Sequence, residues 1–453
     1  MLKRGQMVVA RAMQSACVVQ DLLGEGGQAE VYRARIGPRD YALKWYRPEY
    51  LHADPRLWDR LRHVINAGTP AEQFLWPFDL ASLPGSGAYA GYVMPLKPDN
   101  YVGLADLLRR KCEPSFRSLA TAGFQLANGF FRLHALGLCY RDINFGNIFF
   151  DPATGDILIG DTDNVDFNRM PGGILGTWGF MAPEVGRREA DPSAMTDRYS
   201  LAVLLFYMFM LGHPLKGAQE TKLPYHPEDP DGSRRLCSDH PVFLFDPKDA
   251  SNRPVPGLHD VVINFWNIYP SSLRSLFTRA FTDGLRDPDA RVMENEWRWE
   301  MSRMRDSILH CSRCGAENFF DLQLLRQMRD LHPCWSCGRR QEMPARMRLI
   351  AANGSSTVHP GASAEDPVLV MLSPGVRLFP HHIEGDSYNF MQPLAVVEGQ
   401  GGAAGLSLRN LSSRAWMSRT ATGESRQIPP GAALLLSNAQ RIHFGTCEAE
   451  VRF

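Results

Sequence analysis

Tyr140-Arg141-Asp142-Ile143-Asn144-Phe145-Gly146-Asn147 decides the reading of this chain. It follows a segment of helix-like spacing, Leu119 to His134, and runs directly into the apolar Ile148-Phe149-Phe150. A loop leading into a strand that carries an aspartate and, five residues later, an asparagine has two chemical capacities. The Asp142 carboxylate can orient a hydroxyl and accept its proton, and the Asn147 amide oxygen can ligate a hard cation. A further apolar strand, Ile157-Leu158-Ile159, delivers Gly160-Asp161-Thr162-Asp163. A carboxylate such as Asp161 at a strand end can hold magnesium and neutralise phosphate oxygens.

N-terminal to these lies Leu23-Gly24-Glu25-Gly26-Gly27-Gln28-Ala29-Glu30-Val31-Tyr32, with Val18 and Val19 before it. Standing alone, this is an ordinary hairpin turn. In context, Gly24, Gly26 and Gly27 would let backbone approach phosphates, with Val31 beside them. Lys44, in the apolar strand Tyr41 to Trp45, can then pair with phosphate oxygens. The ordered set of glycine turn, Lys44, Asp142 with Asn147, and Asp161 points to ATP with Mg2+ or Mn2+ and to phosphoryl transfer. Two loops capped by aspartates, the bland reading, would not explain that order.

Over residues 12–305 the motifs resemble the protein kinase superfamily, which implies an α+β bilobal fold with an N-lobe at 12–96 and a C-lobe at 97–305. Gly176-Thr177-Trp178-Gly179-Phe180-Met181-Ala182-Pro183-Glu184 resembles the end of an activation segment. Asp197 opens a helix similar to the central one of the large lobe, and Gly284-Leu285-Arg286-Asp287-Pro288-Asp289-Ala290-Arg291 resembles its closing motif. The resemblance implies a Glu184–Arg291 ion pair, transfer to Ser or Thr by Lys44, Asp142, Asn147 and Asp161, and a helix carboxylate paired with Lys44. Asp59, in the amphipathic run Leu57 to Ile65, is the candidate for that carboxylate. The chain departs from the family pattern at Tyr140 (usually histidine), at Asn144 (usually lysine in Ser/Thr kinases), at Ala29 (the third loop glycine) and at Thr162-Asp163 (an aromatic and a glycine). An active but atypical kinase is the expectation; a nucleotide-binding pseudokinase scaffold is the alternative. Between Asp161 and Glu184 only Thr162 and Thr177 carry a Ser/Thr hydroxyl, so control by a partner is expected rather than loop phosphorylation.

Beyond the kinase-like region, Cys311-Ser312-Arg313-Cys314-Gly315 and Cys334-Trp335-Ser336-Cys337-Gly338 form two Cys-x-x-Cys-Gly pairs. Cys311, Cys314, Cys334 and Cys337 can supply four thiolates to one tetrahedral zinc. Four protein ligands leave no open position, so the zinc-ribbon-like module expected at 308–342 is structural, with zinc contributing on the order of 10 kcal/mol to its folding. Arg339, Arg340, Arg346 and Arg348 lie nearby, but the dense basic and aromatic pattern of a nucleic-acid surface is missing. A linker is expected at 351–364 and an all-β sandwich at 365–453. Its candidate strands are Val368 to Leu372, Ala395 to Val397, Leu406 to Leu411, Ala432 to Leu436 and Glu448 to Phe453. Leu406 to Ser412, Ile428-Pro429-Pro430-Gly431 and Arg441-Ile442-His443-Phe444-Gly445 resemble the closing half of forkhead-associated domains. Phosphothreonine-reading arginine and serine motifs are not recognisable around Arg377 or Ser387, so the likeness implies a fold rather than a ligand.

Forty-nine basic and forty-nine acidic residues cancel, so net charge suggests neither nucleic acid nor an anionic membrane as partner. The longest apolar run, Leu201 to Leu211, is eleven residues and too short to span a bilayer. Met1 to Gln20 lacks a signal-like apolar core, and nine cysteines do not form an even disulfide framework; a cytoplasmic location is expected. The full order of kinase lobes, zinc module and sandwich resembles bacterial kinases of the TerY group of tellurite-resistance and stress proteins. That resemblance implies phosphorylation of a partner protein, in company with a von Willebrand factor A domain protein of TerY type and a PP2C-type phosphatase.

Overall fold

The structure, a computed structural model, describes residues 1–170, 173–223, 234–351, 368–384, 388–399 and 405–453. They form two compact units, Met1–Asn267 with Arg274–Arg298, and Ile268–Leu273 with Trp299–Phe453.

The first unit opens with a closed antiparallel barrel in the order β1-β2-β3-β4-β6-β5. Its strands are β1 (Met7–Ala10), β2 (Ser15–Glu25), β3 (Ala29–Ile36), β4 (Arg39–Tyr46), β5 (Asp79–Ser82) and β6 (Gly91–Met94). The strand period of two sends Val8, Ala10, Cys17, Val19, Tyr32, Ala34, Ile36, Leu43 and Val93 into one cluster. The opposite face carries Ala42, Tyr46, Tyr92 and Met94 against Leu57 and Leu61. Those two leucines belong to α2 (Leu57–Ala67), which follows the short α1 (Pro48–Ala53). β1 gives the barrel a strand that precedes residue 12, where the N-lobe is expected to begin.

The helical part of the unit is built on α4 (Phe116–Ala135) and α6 (Ala194–Met210). Ser115 caps α4 by accepting the Ser118 N–H at 3.0 Å. Ser193 and Thr196 form a capping box at the start of α6. From Leu201 onward α6 is apolar all round and buried on nearly every face, and the run Leu201 to Leu211 forms this half of the helix and its cap. Between these helices, β9 (Ile148–Phe150) and β10 (Ile157–Ile159) pair antiparallel, with Ile148 opposite Ile159. Gly155 (φ +82°) turns that hairpin against α4, where any Cβ would collide with the Ser118 carbonyl. Gln125 of α4 ties the same turn down, donating to Asp156 at 2.7 Å and accepting the Ile157 N–H at 3.0 Å.

In the second unit a hairpin of β12 (Ile308–His310) and β13 (Glu317–Phe319) carries the first cysteine pair. Two antiparallel sheets follow, of six and four strands. In the larger sheet, β14 (Arg346–Ala351) lies between β15 (Val368–Met371) and β23 (Cys447–Arg452), with Met347 opposite Val451 and Leu349 opposite Ala449. The smaller includes Ala395–Glu398, Ser407–Asn410 and Ala433–Leu435. Inward residues of both sheets share one core around Trp416, whose ring meets Phe444 edge-on at 4.9 Å. The all-β region therefore takes a central strand from before the boundary expected at residue 365. The rest of the expected linker, 352–364, and Ser387 lie outside the described residues. No helix among the described residues is long and apolar enough to cross a membrane.

Candidate active site

The β9–β10 pairing explains how two distant motifs meet. Asn147 immediately precedes β9 and Asp161 closely follows β10, so antiparallel register puts both at one end of the hairpin. The Gly160 N–H donates to the Asn147 carbonyl at 2.8 Å, which fixes that end. Asn147 in turn donates its side-chain amide to the Asp142 carbonyl at 3.0 Å, and its amide oxygen is the acceptor end of the same group. Asp161 stands in the left-handed region at φ 49°, and its side chain is 38% exposed.

From the barrel, Lys44 sits in β4 opposite Val31 of β3 and Tyr92 of β6. Its ammonium bonds Asp161 and both oxygens of Asp163, at 3.0 and 2.9 Å. Burial by itself would lower the lysine's pKa; Asp163 and Asp161 outweigh burial and leave it raised. The Asp163 carboxyl is held below the usual carboxylate range for matching reasons: its burial is overcome by the Lys44 charge and by the Tyr46 hydroxyl donating to it. Asp59 takes no part in this. It is largely exposed and pairs with Arg62 at 2.9 Å, while Arg60, one position along α2, turns inward and donates to the Asp163 carbonyl at 2.7 Å. Helical spacing decides this: buried Leu57, Arg60, Leu61 and Val64 share a face that excludes residue 59.

Asp142 accepts the Thr177 hydroxyl at 2.7 Å, so a hydroxyl already occupies the position from which its proton could be taken. Asn144 bridges the two segments, donating to the Asp142 carbonyl and to Thr177 Oγ1, both at 3.1 Å. Tyr140, in the position that resembles a family histidine, donates its buried hydroxyl to the Gly160 carbonyl and links this loop to the one bearing Asp161. Beneath them, the Asp197 carboxylate of α6 accepts the N–H groups of Tyr140 and Arg141 at 2.6 and 2.9 Å. That acceptor holds Arg141 at φ 72°.

Sequence reasoning missed the group that secures Asp197. His134, near the end of α4, bonds Asp197 at 3.0 Å and Glu294 at 2.6 Å, and Arg198 bonds Glu294 at 2.9 Å. Burial disfavours the imidazolium, but the hydrogen bonds and charges of Asp197 and Glu294 outweigh it and raise the His134 pKa to about 9. Burial would raise the Glu294 carboxyl; its contacts with His134 and Arg198 bring it down to about 2. No local motif signals this triad, since its members are 63 and 160 residues from His134. Glu184 and Arg291 meet at 2.8 Å, with the guanidinium also donating to the Met195 and Gly284 carbonyls.

The residues fit a nucleotide and a hard cation on chemical grounds. Gly24, Gly26 and Gly27 lie at the β2–β3 turn, none has positive φ, and an added Cβ would have open space or ordinary contact. The turn itself thus does not require glycine; close approach of a ligand to its backbone would. Asp161 and Asn147 offer a carboxylate and an amide oxygen, the donors a hard divalent cation takes. In the second unit, Cys311, Cys314, Cys334 and Cys337 bring their sulfurs within 4.8 Å of one another. The two knuckles repeat one geometry. Gly315 and Gly338 (φ 74° and 70°) each donate to the carbonyl of the first cysteine of their pair, at 2.9 and 2.8 Å. Four converging sulfurs suit a tetrahedral metal.

Comparison with known proteins falls on the same region. Residues 92–237, which include Asp142, Asn147, Asp161 and Glu184 but not Lys44, match the family model described as protein kinase domain. The chain is 28% identical over 309 residues to the DNA damage-responsive serine/threonine-protein kinase RqkA of Deinococcus radiodurans, covering 62% of this chain and 44% of that protein. It is 30% identical over 198 residues to the serine/threonine-protein kinase PknA of Mycobacterium tuberculosis, covering 41% and 44% respectively. A third relative, PknA of Corynebacterium glutamicum, is 26% identical over 209 residues. The chain spans under half the length of these relatives. Through this region the chain is therefore similar to the protein kinase domain and to bacterial serine/threonine-protein kinases.

Proposed function

We propose that this protein transfers the γ-phosphate of ATP to a serine or threonine hydroxyl of a partner protein. The observation that carries the reading is one continuous chain of contacts, Lys44 to Asp161, Gly160 to Asn147, Asn147 to Asp142, and Asp142 to a threonine hydroxyl. Asp142 takes the proton of the acceptor hydroxyl as that hydroxyl's oxygen bonds to the γ-phosphorus, and the bond from that phosphorus to the β–γ bridging oxygen breaks to release ADP. Lys44 steadies phosphate oxygens from β4, with Gly24 to Val31 covering them. Asp161 and Asn147 would hold Mg2+ or Mn2+, which supplies charge neutralisation along the phosphates. Asn144 brings no positive charge to the transferring group, and its contribution is to hold Asp142 and Thr177 in register.

Similarity to bacterial serine/threonine-protein kinases supports Ser/Thr specificity. Structural zinc on the four cysteines, a forkhead-associated-like role for the all-β sheets, cytoplasmic action, and the TerY-type von Willebrand factor A and PP2C-type partners belong to the same proposal. They rest on the cysteine geometry and on the motif order. Purified protein given labelled ATP, magnesium and candidate partner proteins tests the core of it: labelled phosphoserine or phosphothreonine in the partner is expected. Nucleotide binding without any transfer would establish the pseudokinase scaffold instead.

A further inference from the structure

Lys44 is the most heavily committed cation in the site, and its partners come from an unexpected side. Both carboxylates that reach it belong to one short turn. Asp161 begins that turn and faces outward, its side chain 38% exposed; Asp163, two residues on, is inside at 2%. Asp163 grips the ammonium with both oxygens, whereas Asp161 uses one. Asp163 is itself braced from two directions. The Tyr46 hydroxyl, from the same strand as Lys44, donates to its carboxylate, and Arg60 of α2 donates to its carbonyl while pairing with Asp54 at 2.7 Å. Thus α2 sends a cation toward this point and turns its own acid, Asp59, to solvent. A carboxylate from elsewhere is needed to hold Lys44 there, and Asp163 occupies that position.

We propose that Asp163 is the positioning residue for Lys44, performing from the cation-binding turn the task expected of a carboxylate on α2. The assignment rests on the phosphoryl-transfer reading of the site. Its consequence is a division of labour between neighbouring acids. Asp163 keeps Lys44 in place permanently, and Asp161 remains the outward carboxylate for a cation. One turn then sets the spacing between the phosphate-pairing lysine and the metal-binding acid, and displacement of α2 does not by itself remove the lysine's partner.

The test is nucleotide affinity, read by titrating a fluorescent ATP analogue with magnesium into the full chain. Asp163→Asn is expected to weaken binding about tenfold, the scale of losing a hydrogen bond to a charged group. Asp59→Asn should leave it unchanged. In a Lys44→Met background the Asp163 substitution should add nothing, a coupling that general loosening of the fold would not produce. If Asp163→Asn does not fold, Tyr46→Phe, which removes only a bracing hydroxyl, should move the constant in the same direction by a smaller factor. An Asp163→Asn protein that binds like wild type, or an effect that persists undiminished without Lys44, overturns this role alone. A wild-type chain that binds no nucleotide overturns the phosphoryl-transfer reading together with it.

Discussion

Asp142 and His134 show how differently two titratable side chains can serve one loop. Asp142 faces a hydroxyl; its removal should cost chemistry and not binding. Asp142→Ala is expected to lower the transfer rate by about 10²–10⁴-fold, the usual contribution of a general base, with ATP affinity retained in a binding titration. His134 is buried support, and its effect is on stability. Its folded pKa of about 9 lies above its ordinary 6.5, so the folded state binds the proton more tightly. The stabilisation is complete below about pH 6.5 and is lost as pH rises through 9. Glu294, at about 2 against an ordinary 4.5, works in the opposite sense: its contribution is present above 4.5 and is lost as pH falls towards 2. Thermal melts from pH 6 to 10 should show a decline through the alkaline window that His134→Gln flattens; an equally steep decline in the variant would remove His134 from the account. Neither effect could be read from the sequence, because burial and charge partners set pKa and both arise from packing.

Among the elements, the segment from Asp161 to Glu184 is the one whose control the structure illuminates. Thr162 is completely buried and bonds the Leu75 carbonyl at 3.2 Å, and Thr177 is engaged with Asp142. Arg141, the cation that could receive a phosphate, instead faces the buried carboxylate of Asp166 at 3.5 Å, and Arg56 approaches the same carboxylate at 3.6 Å. Activity is therefore expected without phosphate on this segment. Intact-mass and peptide mass spectrometry of active protein, before and after phosphatase treatment, should find no dependence of activity on modification at Thr162 or Thr177. The segment is anchored by Ser200 donating to the Phe180 carbonyl at 2.7 Å, by the Glu184–Arg291 pair and by an aromatic cluster in which Phe145 and Tyr207 each lie 5.4 Å from Phe180. Those anchors come from α6 and from residues near its packing partners, so the segment's order depends on long-range contacts.

At the scale of the whole molecule both units bury apolar cores, but one part of the second relies on them least. The first buries an apolar helix and a closed barrel. The hairpin and knuckles of the second unit have a small core of Leu309, Phe320, Leu331 and Met371, and four cysteines beside it. Metal analysis should give one zinc per chain, and Cys334→Ser should reduce that value sharply. Chelation should make residues 308–342 protease-sensitive before ATP binding is lost, because Lys44, Asn147 and Asp161, which the proposal assigns to nucleotide and cation, lie in the other unit. Unchanged zinc content in the variant would defeat the ligand set.

Local elements whose chemistry is written in adjacent residues are legible from the chain alone. The apolar β9 and β10 flanked by Asn147 and Asp161, the strand holding Lys44, and the paired cysteine knuckles each need only short-range periodicity or a fixed ligand spacing. Which acid meets Lys44 was settled by packing. The linear reading offers Asp59, but the face that α2 buries turns Asp59 outward, and the turn after β10 carries Asp163 inward. Packing likewise made β14 central to the larger sheet, since a strand's neighbours are chosen by hydrogen-bond register across the chain and not by the residues beside it. The His134–Asp197–Glu294 cluster belongs to the same class: three elements brought together by burial, each uninformative alone.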